Sequence, residues 1–174
     1  MIFKRFMEFF PEIAEKETRR ITLRNDPQIP DGEYAFVDSF CEDKHCDCRR
    51  VYFDVFQIDP DYEPIHAARI SYGWEDLDFY LSWSPYLPSK MATEMKGPIL
   101  QPFQKQSRYA ERFLEFFESD FLTDPAYTDR IKRHYALFKA KLGGEAIKKI
   151  YKGHDAYGPC PCGSGKKLKF CCLA

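Results

Sequence analysis

Hydrophobic and polar residues alternate with a period of two along much of the first half of the chain. The alternating segments, rich in β-branched and aromatic residues, are 18–23, 33–40, 50–57, 67–72 and 77–83. Turn residues such as Pro30-Asp31-Gly32 separate them. Alternation of this kind is typical of strands, because successive side chains of a strand point to opposite faces of the sheet. It predicts an antiparallel sheet of four to five strands.

Apolar residues return at helical spacing in three other segments. These segments are 2–10, 104–121 and 125–142, and Gly143-Gly144 ends the last of them. Between residues 83 and 102 four prolines make a regular element improbable, so a crossing loop is expected there. The order of strands followed by helices predicts an α+β class, with the sheet packed by C-terminal helices.

Composition supports one aromatic core and a short appendage. The chain has 174 residues, with 16 Phe, 11 Tyr and 2 Trp. We therefore expect an α+β domain over residues 1–152, with a cysteine-rich hairpin loop, and a small zinc-bound tail over 153–174. The net charge is -1 and the mean hydropathy is -0.52, which excludes an integral membrane protein and a polyanion binder acting through bulk charge.

The N-terminal segment does not have the pattern of a signal peptide, because Lys4, Arg5 and Glu8 interrupt its apolar residues. A cytoplasmic location is therefore expected. In that reducing compartment cysteines bind metals or carry out chemistry more often than they form disulfides. The seven cysteines fall into two groups, which makes this expectation the main clue to function.

The C-terminal group consists of Cys160, Cys162, Cys171 and Cys172. Two pairs of thiols on either side of a glycine-rich turn can surround one zinc ion tetrahedrally. Gly163 lies in that turn, as does Gly165, which leaves backbone amides free to bond the sulfurs. A phosphate-binding loop is not predicted, because its motif requires Gly at 160 and Ser or Thr at 167.

This tail, Cys-Pro-Cys-Gly-Ser-Gly-Lys-Lys followed by Lys-Phe-Cys-Cys, resembles the SEC-C motif, the zinc-binding module at the C terminus of the preprotein translocation ATPase and of many small bacterial proteins. The resemblance covers about fifteen residues. It implies that Cys160, Cys162, Cys171 and Cys172 are zinc ligands, with Cys172 where the translocase commonly has histidine. It also implies a protein-interaction role, with a chaperone, secretion or ribosomal partner.

The tail is basic while the rest of the chain is acidic. From residue 141 to the end, seven lysines stand against Glu145 and Asp155. Such a segment should prefer an acidic surface, which a protein, anionic lipid head groups or nucleic acid phosphate would supply. A solvated charge run without a partner is the remaining alternative.

The second cysteine group, Cys41, Cys46 and Cys48, lies between two predicted strands. A hairpin loop of this length can present three sulfurs on one side, which predicts a second metal site; zinc is expected there, with iron as the alternative. The fourth ligand is open: His45, His66, an acidic side chain or water would each serve. A closed structural site, an open site with chemistry and unliganded thiols are the three alternatives. Small proteins with a C-terminal SEC-C motif sometimes have a similar C-D-C-R-R run.

An enzyme is less well supported than a binding protein. The zinc deaminase signature is absent, since His66 is followed by two alanines. A cysteine nucleophile paired with His134 or His154 is one alternative, and a metal-dependent enzyme using the open position of the Cys41 group is another. A binding groove could be lined by Tyr72, Trp74, Glu75, Asp76 and Asp78, although aromatic residues on alternating strands are more often core.

The sequence thus predicts a zinc-binding protein that acts in the cytoplasm as a protein-interaction module through its tail. Nucleic-acid binding is kept as an alternative, although the chain carries no RNA-binding signature.

Overall fold

The protein is an α+β structure with a six-stranded antiparallel sheet, in a computed structural model that describes residues 2–83, 86, 88–143, 153–160 and 165–170. The strands are β1 (Phe3–Arg5), β2 (Arg19–Leu23), β3 (Gly32–Cys41), β4 (Arg50–Asp59), β5 (Tyr62–Gly73) and β6 (Ile99–Leu100). The helices are α1 (Pro11–Glu17), α2 (Leu77–Trp83), α3 (Ser89–Lys96), α4 (Ala110–Phe116) and α5 (Pro125–Lys141). The predicted class is confirmed, and the sheet is larger than the four to five strands expected.

Three long strands, β3, β4 and β5, form the centre of the sheet. Their hairpins place Phe36 opposite Val55, and Val55 opposite Ala68. The short strands β1 and β2 pair with the two ends of the outer edge of β3, and β6 pairs with β5. The loop between β3 and β4 therefore joins two inner strands of the sheet. Elements that pack on either side of these strands can contact it.

One face of the sheet packs against α4 and α5. Val51, Phe53 and Val55 alternate along β4 and are fully buried. The Phe53 ring lies 5.1 Å from that of Phe117 and 6.1 Å from that of Tyr127. Burying each such side chain contributes about 2 kcal/mol, so this aromatic layer stabilises the packing of the helices on the sheet.

Helix α5 forms where the sequence predicts it. The Asp124 carboxylate accepts a hydrogen bond from the Ala126 amide at 3.0 Å, and Pro125 occupies the first turn. Buried residues on the helix then recur at a spacing of three and four, at Tyr127, Ile131, Tyr135 and Phe138. The predicted helix over 125–142 is confirmed.

The predicted helix over residues 2–10 is wrong for its first part. Phe3–Arg5 forms a strand, because it pairs with the open edge of β3 and the Phe3 ring stacks on Tyr52 at 3.9 Å. A single 3-10 turn, Phe6–Glu8, follows it. Tertiary pairing overrides the local helical spacing here.

The segment 77–83 was predicted to be a strand and is helix α2. The Asp76 carboxylate accepts from the Phe79 amide at 2.8 Å, which caps the first turn. The crossing loop expected after it contains helix α3 and strand β6. The predicted helix over 104–121 is helical from Ala110 and continues as a π-helical turn, Phe117–Phe121.

Helices α2 and α3 pack together at the end of β5. Tyr80, Ala92 and Met95 form a small buried group there. A Cβ at Gly73 would collide with the Tyr80 hydroxyl and with the Met95 carbonyl oxygen, so this glycine permits the close approach. The packing brings α2 beside the loop between β3 and β4.

Candidate metal centre

The three cysteines of the β3–β4 loop lie together. Cys41 ends β3, and the sulfurs of Cys41, Cys46 and Cys48 all lie within 4.8 Å of one another; we call these residues the thiol cluster. In tetrahedral zinc sites with Zn–S bonds of 2.3 Å, sulfurs are about 3.8 Å apart, so small side-chain movements would close the cluster on an ion. Cys41 and Cys48 are fully buried, and Cys46 is partly exposed.

Local hydrogen bonds turn the loop back on itself, so that Cys46 lies close to Cys41. The Asp43 carboxylate accepts from the His45 amide at 2.9 Å, and the Asp43 carbonyl oxygen accepts from the Cys46 amide at 3.1 Å. Arg49 takes a left-handed conformation with φ of 46°, which leads the chain into β4. These turns place the three sulfurs on one side of the loop.

Lys139 ties the loop to α5 from beneath. Its ammonium group donates to the carbonyl oxygens of Cys41 and Asp43, both at 2.8 Å, and its side chain is fully buried. The ammonium group also lies 5.4 Å from the centre of the Tyr135 ring. Among the residues that the structure describes, no carboxylate pairs with this lysine. Its ammonium group bonds to the carbonyl groups of the loop instead and places positive charge beside the cysteines.

A second set of contacts holds the loop at Asp47. Its carboxylate accepts from Arg49 at 3.1 and 3.2 Å, and its carbonyl oxygen accepts from the indole nitrogen of Trp83 at 3.2 Å. The Tyr80 hydroxyl donates to the Arg49 carbonyl oxygen at 2.9 Å. Residues of α2 and α5 thus hold both ends of the loop, so the thiol cluster is supported before any ion binds.

Thiol hydrogen bonds set the charge of the thiol cluster. Bonds from the Cys46 and Cys48 thiols lower the pKa of Cys41 well below the ordinary thiol value, and the charge of Lys139 acts in the same direction. Bonding to Cys41 raises the pKa of Cys46 and Cys48, and burial adds to both. Without metal, the cluster therefore holds one thiolate that accepts from two thiols.

The two histidines considered as a fourth ligand lie in different places. His45 is exposed within the loop, and its ring is not among the ligand groups found within 4.8 Å of one another, so its role stays a prediction. His66 lies beside Phe56, six positions along β4 from Arg50, or roughly 20 Å. Its Nε2 bonds to Asp54 at 3.1 Å, so His66 as a ligand of this cluster is wrong.

His134 does not pair with a cysteine. Its Nδ1 lies 2.7 Å from Asp38 and its Nε2 lies 2.9 Å from Glu17, and Glu17 also bonds to Arg133. The ring stacks on Phe6 at 4.1 Å and is 2% exposed. With both nitrogens facing carboxylates, it links α5 to β3 and α1 and is not available as a base to a nucleophile.

The residues around Trp74, considered above as a binding groove, make structural contacts. The Trp74 ring packs edge-on against Tyr135 at 5.0 Å, and Glu75 pairs with Arg49 at 3.0 Å. Tyr72 packs against Phe117. The acidic residue that follows them, Asp76, caps α2 as described above. These side chains support the loop and do not form a separate site.

The described part of the tail forms a small hairpin. Pro159 bridges Lys167, the Cys160 amide donates to the Lys166 carbonyl oxygen at 2.8 Å, and Gly165 has φ of 71°. Cys160 is buried and carries a free thiol, as do the three cysteines of the thiol cluster. Cys162, Cys171 and Cys172 lie outside the described residues, so the predicted four-sulfur site stays a prediction.

Sequence reasoning missed the residues that hold the loop. Lys139 follows Tyr135 by one helical turn and lies on the buried face of α5, so a charged residue at an apolar position was the signal available. Trp83 had no such signal, because its helix was predicted as a strand.

Comparison of the chain with protein-family models, with curated proteins and with solved structures finds no match. Among the described residues, no helix is long and apolar enough to cross a membrane.

Proposed function

We propose that this protein is a zinc-binding protein in which the thiol cluster holds a structural ion and the basic tail binds a protein partner in the cytoplasm. The observation that carries the metal assignment is the convergence of three cysteine sulfurs within 4.8 Å. Three sulfur ligands at close range select zinc over magnesium or calcium, which prefer oxygen.

The support of the loop favours a structural site over a catalytic one. Lys139, Trp83 and Tyr80 bond to the backbone of the loop, so metal binding would join β3, β4, α2 and α5. Three thiolates on Zn²⁺ give a complex of net negative charge, which makes the ion a weaker Lewis acid. Cys41, Cys46, Cys48 and a fourth group, for which His45 is the nearest candidate in sequence, would complete the site.

The tail supports the second half of the proposal. The Cys160 amide bonds to the Lys166 carbonyl oxygen, which brings Cys160 beside the lysines of the tail, and Cys162, Cys171 and Cys172 would supply the other ligands. Leu168 is buried within this hairpin while Lys167 and Phe170 are exposed. A basic surface with one exposed aromatic residue suits an acidic protein surface.

Metal content per chain tests the zinc assignment. We expect two zinc ions in the intact protein, one in Cys41→Ser, one in Cys160→Ser and none in the double variant. An unchanged content in Cys41→Ser would show that the thiol cluster is not a metal site, and its cysteines would then be packing or redox-active thiols. An exchangeable water ligand on cobalt-substituted Cys160→Ser would favour the enzyme alternative.

Deletion of residues 158–174 tests the interaction. Capture of the partner should be lost on deletion, whereas the triple variant Lys166→Gln, Lys167→Gln, Lys169→Gln should lose it only at physiological salt. Nuclease-sensitive capture with a steep salt dependence would favour nucleic acid instead. Capture that survives the deletion would contradict a role for the tail.

A further inference from the structure

A small cavity lies on the sheet face opposite the main core, next to the α2–α3 pair. Its volume is about 260 Å³. Arg50 and Tyr52 of β4 form its floor; Trp83, Met91, Met95 and Phe103 are among its walls. Because Arg50 and Tyr52 alternate with the core residue Val51, their side chains point to this second face. We call it the Arg50 pocket.

Arg50 is a buried cation without an anion. Its residue is 8% exposed, its Nη2 donates to the Ser71 hydroxyl, and its Nε has no hydrogen-bond partner. Its guanidinium carbon lies 5.5 Å from the Tyr52 ring centre. Within the described residues no carboxylate lies in salt-bridge range of Arg50.

Two half-buried arginines near Arg50 in the sheet and its loop do have carboxylate partners. Arg69 binds Asp54 through two nitrogens, at 2.6 and 2.8 Å, and Arg49 binds Asp47 and Glu75. Removing a guanidinium from water without a counter-charge is unfavourable, and an anion supplied from outside the chain would offset that penalty. The difference between Arg50 and these two residues therefore points to a ligand.

The walls of the pocket select the kind of anion. Two methionines and two aromatic rings provide apolar surface, and Phe103 at the mouth is 93% exposed. Glu94 also lines the pocket, so a doubly charged phosphate would meet one cation and one repelling carboxylate. A carboxylate needs a single guanidinium, which it can bind through two oxygens. The volume is below that of a drug-sized site, which limits the ligand to a small molecule or the end of a chain.

We infer that the Arg50 pocket binds a small carboxylate with an apolar body, the carboxylate against Arg50 and the apolar part against Trp83 and Met95. A free organic acid and a peptide C-terminus both fit this description, because each carries a carboxylate next to an apolar group. The inference does not depend on the proposed function, since neither the thiol cluster nor the tail contributes a residue to the pocket.

Calorimetric titration of the full, zinc-loaded chain with benzoate tests the inference. Benzoate should bind, and benzamide, which has the same shape without the charge, should bind about tenfold more weakly or worse. Arg50→Gln should weaken benzoate binding by a similar factor. The control Arg20→Gln, which replaces an exposed arginine outside the pocket, should not change it. No binding of benzoate, equal binding of benzamide, or tighter binding of phenyl phosphate would overturn the assignment.

A second variant keeps the test decisive if Arg50→Gln does not fold. Met91 is 49% exposed at the rim of the pocket, so Met91→Glu should leave the fold intact and repel benzoate. Unchanged benzoate affinity in Met91→Glu would contradict binding at this site. Acetyl-glycyl-phenylalanine and its C-terminal amide separate the two sources: binding of the acid alone assigns a peptide C-terminus, and binding of benzoate without either peptide assigns a free acid.

Discussion

The buried ammonium group of Lys139 donates to the carbonyl oxygen of Cys41 at 2.8 Å, which joins the last turn of α5 to the last residue of β3. This bond crosses 98 positions of the sequence. It places a positive charge under the thiol cluster and holds the backbone from which the first sulfur projects. The stability of the fold and the geometry of the candidate metal centre therefore depend on the same side chain.

Replacement of this lysine tests that dependence. Lys139→Met removes the ammonium donor from the carbonyl oxygens of Cys41 and Asp43, of which Asp43 keeps the Cys46 amide, and we expect a loss of about 2 kcal/mol in the free energy of unfolding. Zinc affinity of the thiol cluster should fall by about tenfold or more, as it does when groups supporting metal ligands are removed. Urea unfolding and chelator competition measure the two effects. Lys141→Met, on the exposed face of the same helix, is the control, and equal zinc affinity in both variants would contradict the role of Lys139.

Zinc binding to the thiol cluster should be pH-dependent with a known sign. The pKa of Cys41 is lowered and those of Cys46 and Cys48 are raised, so near neutral pH the metal-free cluster holds two protons that zinc must displace. Affinity should therefore rise about a hundredfold between pH 7 and pH 8 and weaken as pH falls.

The Cys160→Ser variant isolates this cluster from the tail, and calorimetry in buffers of different ionisation enthalpy counts the protons released. Release of about three protons would show that Cys41 is not ionised beforehand. An affinity that does not change with pH would show that the sulfurs are not ligands.

The His134 network should stabilise the fold without contributing to metal binding. His134→Leu leaves the buried Asp38 carboxylate without its partner, and we expect about 3 kcal/mol of destabilisation. The zinc content should not change, because the two ring nitrogens of His134 bond to Asp38 and Glu17 and not to the thiol cluster. Lys132→Gln, exposed on the same helix, controls for the substitution. A destabilisation no larger than that of the control would refute a structural role for the network.

Gly73 should link the α2–α3 pair to the metal centre. Gly73→Ala introduces a Cβ against the Tyr80 hydroxyl, and we expect a loss of about 2 kcal/mol together with weaker zinc binding, because Tyr80 also holds the Arg49 carbonyl oxygen. Combining it with Tyr80→Phe removes the colliding oxygen, so the double variant should be less destabilised than the sum of the single variants. Strict additivity would show that the Tyr80 hydroxyl is not the group against which the new Cβ collides.

Local patterns in the sequence were sufficient for β3, β4 and α5, whereas β5, predicted over 67–72, begins five residues earlier, at Tyr62. The alternation in β3 and β4 and the capped, apolar stripe of α5 predicted these elements to within one or two residues, because period and capping are properties of neighbouring residues. The spacing of Cys41, Cys46 and Cys48 likewise indicated a metal site, since a hairpin loop that turns back within eight residues can bring its three thiols together. Short apolar segments without a strong period, 2–10 and 77–83, were assigned wrongly.

Only the tertiary structure decided what surrounds the loop. Lys139, Trp83 and His66 are distant from the cysteines in sequence, and their positions depend on which helix packs against which strand. The same packing buried Arg50 with no carboxylate partner among the described residues, which no pattern of neighbouring residues reveals. The sequence determined which chemical groups are available; the three-dimensional packing determined which of them meet, because contacts between distant residues follow from the burial of the whole core.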